Sequence, residues 1–116
     1  MNVLMVVNGS AYGADATYNA VRLAGALAKR EGVTMQVFLM GDGVTVAIRN
    51  QKTPDGYYRL DRMISAVPRN GGRVLCCGTC MDARGIGGDM LIDDAHRSTM
   101  DELATLTLAA DKILVF

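Results

Sequence analysis

The segment that most constrains the fold is residues 3–7, an uninterrupted apolar run that ends at Asn8 and Gly9. A strand with one face in water alternates apolar and polar residues, whereas a continuous apolar run is typical of a strand covered on both faces. Such strands occur in parallel sheets that are packed between helices. The segment therefore predicts a buried strand in a layered α/β fold.

Strand and helix patterns alternate along the rest of the chain. Strands are predicted at residues 3–7, 34–40, 73–77 and 112–116, and helices at residues 14–30, 44–50 and 60–67. A last helix is expected to end near residue 110, with Thr99 and Glu102 at capping-box spacing at its start. Residues 78–88 are interpreted as a long glycine-rich loop, and residues 91–92 as a short strand or an edge cover. The alternation predicts a parallel sheet between helices, joined by right-handed crossovers.

Length and charge exclude several classes of protein. The 116 residues suit one domain, and twelve basic residues balance twelve acidic ones. A neutral chain has no bulk attraction for nucleic acid or anionic membranes, and no apolar stretch approaches the roughly 20 residues that span a bilayer.

Three cysteines within residues 76–80 do not form a secreted disulfide framework. We expect a cytoplasmic protein with reduced thiols.

The unusual residues follow three of the predicted strands. They lie in residues 8–13, 41–43 and 77–85. In a parallel sheet, the carboxyl ends of the strands meet at one rim, and ligands bind outside that rim. We therefore expect these three segments to form the working edge of the molecule.

Cys77 is the candidate reactive residue at this rim. Side chains alternate along a strand, so Cys76 and Cys77 are expected to point to opposite faces, with Cys76 buried as a small hydrophobe. Cys77 stands where the strand opens into the glycine-rich segment, whose N–H groups can stabilise a thiolate. Arg84 would add positive charge if that segment folds back.

Other interpretations of the rim residues are less favoured. A thioredoxin-like pair of Cys77 and Cys80 should open a helix, which the glycines argue against, and a zinc site lacks a second CxxC motif. The segment around Asp42 and Gly43 suits an anion site, but a turn with Asp42 as N-cap is the simpler interpretation. The segment beginning at Asn8 is not a dinucleotide fingerprint. Residues 93–96 are interpreted as a solvated face.

Five stretches of the chain resemble a known family: residues 8–13 (NGSAYG), 38–45 (FLMGDGVT), 51–52 (QK), 75–86 (LCCGTCMDARGI) and 109–116 (AADKILVF). They are similar to the DsrE/DsrF-like family, most of all to its YchN-like branch, over residues 1–116 as a single domain. The resemblance implies a flavodoxin-like, doubly wound fold in homotrimers or homohexamers. It also implies that Cys77 accepts a persulfide, with Cys80 as the second cysteine of the loop, Arg84 and Gly85 as its RG pair, and Asp42 on the neighbouring rim.

The leading functional hypothesis is a sulfur-relay protein that carries a persulfide on Cys77 and passes it to an acceptor. This chemistry needs no metal or organic cofactor, but it needs donor and acceptor proteins. One alternative is an oligomeric module that binds a small anion or metabolite without catalysis, and another is a redox switch between Cys77 and Cys80. The candidate binding residues are Asn8, Gly9, Tyr12, Asp42, Gly43, Thr79, Arg84 and Gly85.

Overall fold

The computed structural model describes all 116 residues, which form five strands and five α-helices. The strands are β1 (Asn2–Val7), β2 (Thr34–Leu39), β3 (Arg73–Cys77), β4 (Ala95–Ser98) and β5 (Lys112–Val115). The helices are α1 (Asp15–Ala28), α2 (Leu60–Ile64), α3 (Ala66–Arg69), α4 (Gly78–Ala83) and α5 (Met100–Ala109), with 3₁₀ helices at Gly41–Ala47 and Gly88–Met90. No helix has both the length and the apolar composition that would carry it across a lipid bilayer.

The strands form one sheet in the order β4-β3-β2-β1-β5, and every neighbouring pair is parallel. The chain steps outward from β1 to β4 and then returns to the other side of β1, so the sheet is doubly wound. The predicted α/β class with a parallel sheet is confirmed. Flavodoxin itself has the order 2-1-3-4-5, whereas here the direction of winding reverses between β1 and β5.

Helices cover both faces of the sheet because the central strands are apolar on both. Leu4 and Gln36 lie beside Leu106 and Ala109 of α5, and α1 packs on the opposite face against α2 and α3. Phe38 of β2 is fully buried between these layers. The continuous apolar run that predicted β1 is thus explained by burial from two sides.

The segment after β2 differs from the prediction. A helix was expected at residues 44–50, with Asp42 as the residue before it, but a 3₁₀ helix begins at Gly41 and Met40 occupies the N-cap position. Gly43 fits directly against the backbone of Val7, where a Cβ atom would collide with the carbonyl. Because these two segments lie so close together, the helix begins at Gly41, three residues before the start that the apolar pattern predicted.

The single helix predicted at residues 60–67 is two short helices that meet at Ser65. Pro68 is the third residue of α3, in the first turn, where a backbone N–H needs no helical partner. It would have interrupted the hydrogen-bond ladder of one continuous helix. The proline thus falls inside the second helix and does not end the first.

Two further elements were not predicted. The segment expected to be a glycine-rich loop contains α4, which begins at Gly78 and is followed by Gly85 with a φ of +66°. Between these glycines the residues suit a helix, and Met81 is fully buried. β4 follows at Ala95, where a solvated face was expected, while Leu91 forms only an isolated antiparallel bridge with Ile48.

The N-cap of α5 agrees with the sequence pattern in part. The Thr99 side chain accepts a hydrogen bond from the Glu102 backbone N–H at 3.1 Å, as expected. The Glu102 carboxylate completes no capping box, because it instead accepts hydrogen bonds from Ser98 and Arg73. These bonds hold the start of α5 against β3 and β4.

Because Leu75 is buried in β3, we expect Leu75→Ala to lower the free energy of unfolding by about 2–5 kcal/mol through loss of packing. Leu23 on α1 is partly exposed, and Leu23→Ala should cost no more than about 1 kcal/mol. Urea denaturation followed by circular dichroism measures both. Equal losses for the two variants would contradict a core in which Leu75 is buried and Leu23 is not.

Candidate functional site

The Cys77 side chain lies where β3 ends and α4 begins. Cys77 is the N-cap residue of α4, and its sulfur accepts a hydrogen bond from the backbone N–H of Cys80 at 3.4 Å. The Thr79 hydroxyl lies 3.3 Å from the same sulfur. The sulfur occupies the position that a serine or aspartate oxygen takes in an ordinary N-cap.

These contacts favour the thiolate. Burial alone would raise the pKa of Cys77, but the hydrogen bonds from Cys80 and Thr79 outweigh it, so the pKa lies below its ordinary value. A hydrogen bond to the charged form of a group stabilises that form, and thiolate is the nucleophilic form of cysteine. The site therefore supports nucleophilic chemistry at Cys77.

Cys76 is the opposite case. It points to the other face of the sheet, is fully buried, and burial raises its pKa to about 12. A thiol of this kind is neutral and inaccessible at neutral pH. The predicted division between Cys76 as core residue and Cys77 as candidate nucleophile agrees with this geometry.

The Cys77 side chain borders a cavity of about 150 Å³. Seven residues line this Cys77 pocket: Cys77, Gly78, Thr79, Arg97, Ser98, Thr99 and Met100. One wall is the start of α4, and the other is the junction of β4 with α5. Of the ten residues proposed from the sequence, only Cys77 and Thr79 line it.

Arg97 is the charged side chain of the pocket, and sequence reasoning missed it. Its guanidinium donates to both carboxylate oxygens of Asp82, at 2.7 and 2.8 Å. It lies beside Gly78, where an added Cβ atom would stand 2.8 Å from its Nε and Cζ atoms. A basic residue two positions before the N-cap Thr99 was the available signal, but the place of Arg97 in the fold depends on the unpredicted β4.

Arg84 does not supply the positive charge expected at Cys77. Its Nε and Nη2 donate to Asp42 Oδ1 at 3.0 and 2.9 Å, and its Nη1 donates to the Cys80 carbonyl at 3.0 Å. Asp42 is consequently an ion-pair partner and not an N-cap. The pair joins α4 to the 3₁₀ helix after β2, and the Ala11 N–H donates to Thr45 of the same 3₁₀ helix, so the three predicted rim segments do meet.

The other proposed binding residues lie at or near the rim and make structural contacts. Asn8 donates to the Phe116 carbonyl, and Gly9 has no room for a side chain beside Thr17. Tyr12 donates to Gln51 and accepts a hydrogen bond from the Leu60 N–H. Gly43 packs on β1, and Gly85 ends α4 in a left-handed conformation. None of them lines the Cys77 pocket.

Cys80 completes a CxxC arrangement that does open a helix, contrary to the expectation from the glycines. It is partly exposed in the first turn of α4, and its N–H points at the Cys77 sulfur. The two thiols are thus neighbours across one helical turn. No three His, Cys, Asp or Glu side chains cluster in a way that would hold a metal ion.

A larger cleft of about 300 Å³ lies elsewhere, among residues of α2 and the segment before β4. It contains no thiol. Arg49 pairs there with Asp93, and Arg59 pairs with the buried Asp61, so these arginines already have carboxylate partners. Of the two clefts, only the Cys77 pocket is lined by a cysteine.

The fold and the site together define a class of protein. It is a parallel α/β domain in which a cysteine at the carboxyl end of a strand caps the next helix. The model of the DsrE/DsrF-like family matches residues 1–116. YchN of Escherichia coli K12 is 40% identical over 115 residues, with 98% of this chain and 97% of YchN covered. Protein MJ0989 of Methanocaldococcus jannaschii is 30% identical with both chains covered in full.

Solved structures agree with these sequence matches. The crystal structure of E. coli YchN has a TM-score of 0.93 and 39% identity, over 100% of this chain and 99% of that one. Protein MTH1491 of Methanobacterium thermoautotrophicum shares the fold, with a TM-score of 0.74 at 17% identity over 97% of each chain. The chain belongs to the DsrE/DsrF-like family, and the family indicates a sulfur-relay type of function in general.

The Thr79 hydroxyl provides a direct test of the thiolate site. Thr79→Val removes a hydrogen bond that favours the thiolate, so the pKa of Cys77 should rise and alkylation at pH 7 should slow about two- to tenfold. Well above the pKa of both proteins, where Cys77 is fully ionised, the rates should converge. The pH profile of iodoacetamide labelling, read by mass spectrometry of the Cys77 peptide, measures this.

Thr107→Val is the matched control, since the Thr107 hydroxyl bonds only the Leu103 carbonyl on α5. Its labelling profile should coincide with that of the unchanged protein. An unshifted profile for Thr79→Val would mean that the hydroxyl does not act on the thiolate.

Proposed function

We propose that this protein accepts a sulfane sulfur atom on Cys77 and passes it to an acceptor thiol. The observation that carries the proposal is the Cys77 sulfur at the N-cap of α4, where two donors favour its thiolate beside an open pocket. Family membership supports the same type of chemistry.

The accepting step is a thiolate attack on a persulfide. Cys77–S⁻ attacks the outer sulfur of R–S–SH, a new S–S bond forms on Cys77, and the old S–S bond breaks with its electron pair leaving on RS⁻. The product is Cys77–S–SH. No net oxidation or reduction occurs, and neither a metal nor an organic cofactor takes part.

Release follows the same pattern in reverse. An acceptor thiolate attacks the outer sulfur of Cys77–S–SH, and the electron pair of the broken bond returns to Cys77 as thiolate. The N–H of Cys80 and the hydroxyl of Thr79 that favour the thiolate also favour it as leaving group, because a thiol of lower pKa leaves faster.

A redox role is the second candidate, and the position of Cys80 favours it. The Cys80 thiolate is one helical turn from Cys77 and can attack the inner sulfur of the persulfide. A Cys77–Cys80 disulfide then forms and HS⁻ leaves, so the outer sulfur is reduced as the two thiols are oxidised. The outcome would be release of sulfide and not transfer of sulfur.

We expect Cys77 to gain one sulfur atom, about 32 Da, when the protein is incubated with a cysteine desulfurase and cysteine. Intact-protein mass spectrometry measures the adduct, and a reductant should remove it. Cys77→Ser should abolish loading, whereas Cys76→Ser should leave it unchanged because Cys76 is fully buried and does not line the Cys77 pocket.

Cys80→Ser separates transfer from reduction. A sulfur carrier keeps its adduct in this variant and in the unchanged protein alike. If only Cys80→Ser keeps the adduct while the unchanged protein loses 2 Da (two hydrogens) and releases sulfide, the redox role is correct. The absence of any adduct, with Cys77 still freely alkylated, would favour a non-catalytic binding module instead.

We further propose that the protein is a homo-oligomer, a trimer or hexamer, that associates through its α5 and β5 surface. Large apolar side chains are exposed there: Leu108 is 89% exposed and Val115 is 68% exposed, with Met100 and Ile113 on the same elements. β5 is also an edge strand whose outer backbone groups are unpaired. Contiguous exposed apolar surface marks an association site.

We expect light scattering after gel filtration to give a multiple of the 12.4 kDa chain mass. Leu108→Glu should lower that mass, because a carboxylate in an apolar contact is costly to desolvate. Glu31→Gln on the opposite layer is the control and should leave it unchanged. A 12.4 kDa particle for the unchanged protein would overturn the proposal.

A further inference from the structure

The guanidinium of Arg97 forms the charged part of the Cys77 pocket wall. It lies beside Gly78, the residue directly after the nucleophile, and Gly78 leaves the space that it occupies. Half of the Arg97 side chain is exposed, so it faces both solvent and the pocket. The hydrogen bonds to Asp82 raise the pKa of Arg97, and the charge of the neighbouring Cys77 thiolate adds to that rise.

Asp82 fixes the guanidinium but does not use all of its donors. The two hydrogen bonds engage one N–H on Nη1 and one on Nη2. A guanidinium has five N–H donors, so the Nε–H and two others have no protein partner. Arg97 is thus held in one orientation with free donors beside a nucleophile, an arrangement suited to a carboxylate.

From this geometry we infer that Arg97 is a specificity-determining residue, which makes the Cys77 pocket select small sulfane-sulfur donors that bear a carboxylate close to the reacting sulfur. The inference rests on the proposed function at Cys77. The carboxylate bonds the free edge of Arg97 while the outer sulfur of the donor meets the thiolate. Met100 gives the apolar side of the same pocket, against which a short carbon chain packs.

The size of the pocket supports a small donor group. A cavity of about 150 Å³ is smaller than the roughly 300 Å³ at which drug-sized ligand sites begin. It has room for a short persulfide with its carboxylate. The donor chemistry is therefore that of a mercapto-carboxylic acid persulfide, free or at the end of a larger molecule.

Two alkylating reagents test the selectivity without any sulfur transfer. Iodoacetate and iodoacetamide have similar size and reactivity, and only iodoacetate carries a negative charge. Both react with the same thiolate, so the ratio of their rates cancels any change in the pKa of Cys77. We expect Arg97→Gln to lower the iodoacetate-to-iodoacetamide rate ratio about two- to fivefold, and added salt to lower it in the unchanged protein.

Gly78→Ala provides an independent second variant. Its methyl group would displace the flexible end of Arg97 while the charge stays in the molecule, and alanine favours the helix. The rate ratio should therefore fall although the fold is kept. Arg30→Gln, at an exposed arginine that follows α1 and does not line the pocket, removes the same charge and should leave the ratio unchanged. Circular dichroism checks the fold of each variant.

Persulfides of 3-mercaptopropionate and 3-mercaptopropionamide then test the donor itself. The unchanged protein should load sulfur faster from the carboxylate, and Arg97→Gln should lose that preference. Equal rate ratios in the unchanged protein, Arg97→Gln and Gly78→Ala would overturn the inference, even if both persulfides load Cys77. Loading from neither persulfide, with a ratio that still falls in Arg97→Gln, would overturn the proposed function and leave the selectivity of the pocket standing.

Discussion

The position of the Cys77 thiol depends on the pairing of β3 with a strand on each side. β2 and β4 both pair with β3 in parallel, and residues 74–77 are buried. α4 begins at the very next residue, so Cys77 is both the last residue of the strand and the N-cap of the helix. The N–H of Cys80 that meets the Cys77 sulfur is consequently oriented by a rigid sheet, and the thiolate is stabilised before any ligand arrives.

The same pairing separates two cysteines that are adjacent in sequence. Strand geometry turns Cys76 into one face and Cys77 into the other. Cys76 is then fully buried in the hydrophobic core, and burial raises its pKa to about 12. Cys77 meets N–H and O–H donors, and its pKa falls despite burial. A shift of one residue in the register of β3 would turn each cysteine to the other face of the sheet, so the register of the strand decides which residue occupies the N-cap position of α4.

The elements that could be predicted from the sequence were those with a local apolar pattern. β3 was predicted with its observed bounds because an apolar run lies between glycines, and the alternation along it separated Cys76 from Cys77 correctly. β4 was missed because Ala95–Ser98 carries no such run. Its strand conformation comes from backbone pairing with β3, which is non-local. Arg97 lies beside Cys77 only because of that pairing, so no local pattern predicted the charged wall of the pocket.

The two rim arginines differ in the donors that they leave for a ligand, in a chain of zero net charge. Arg84 uses all three of its nitrogens on Asp42 and the Cys80 carbonyl, so it braces α4 and has little left for a ligand. Arg97 engages Asp82 with only its two terminal nitrogens. Both have a carboxylate partner, yet they differ in which donors stay free. The inferred preference for a carboxylate at this rim therefore depends on the orientation of donors and not on the net charge.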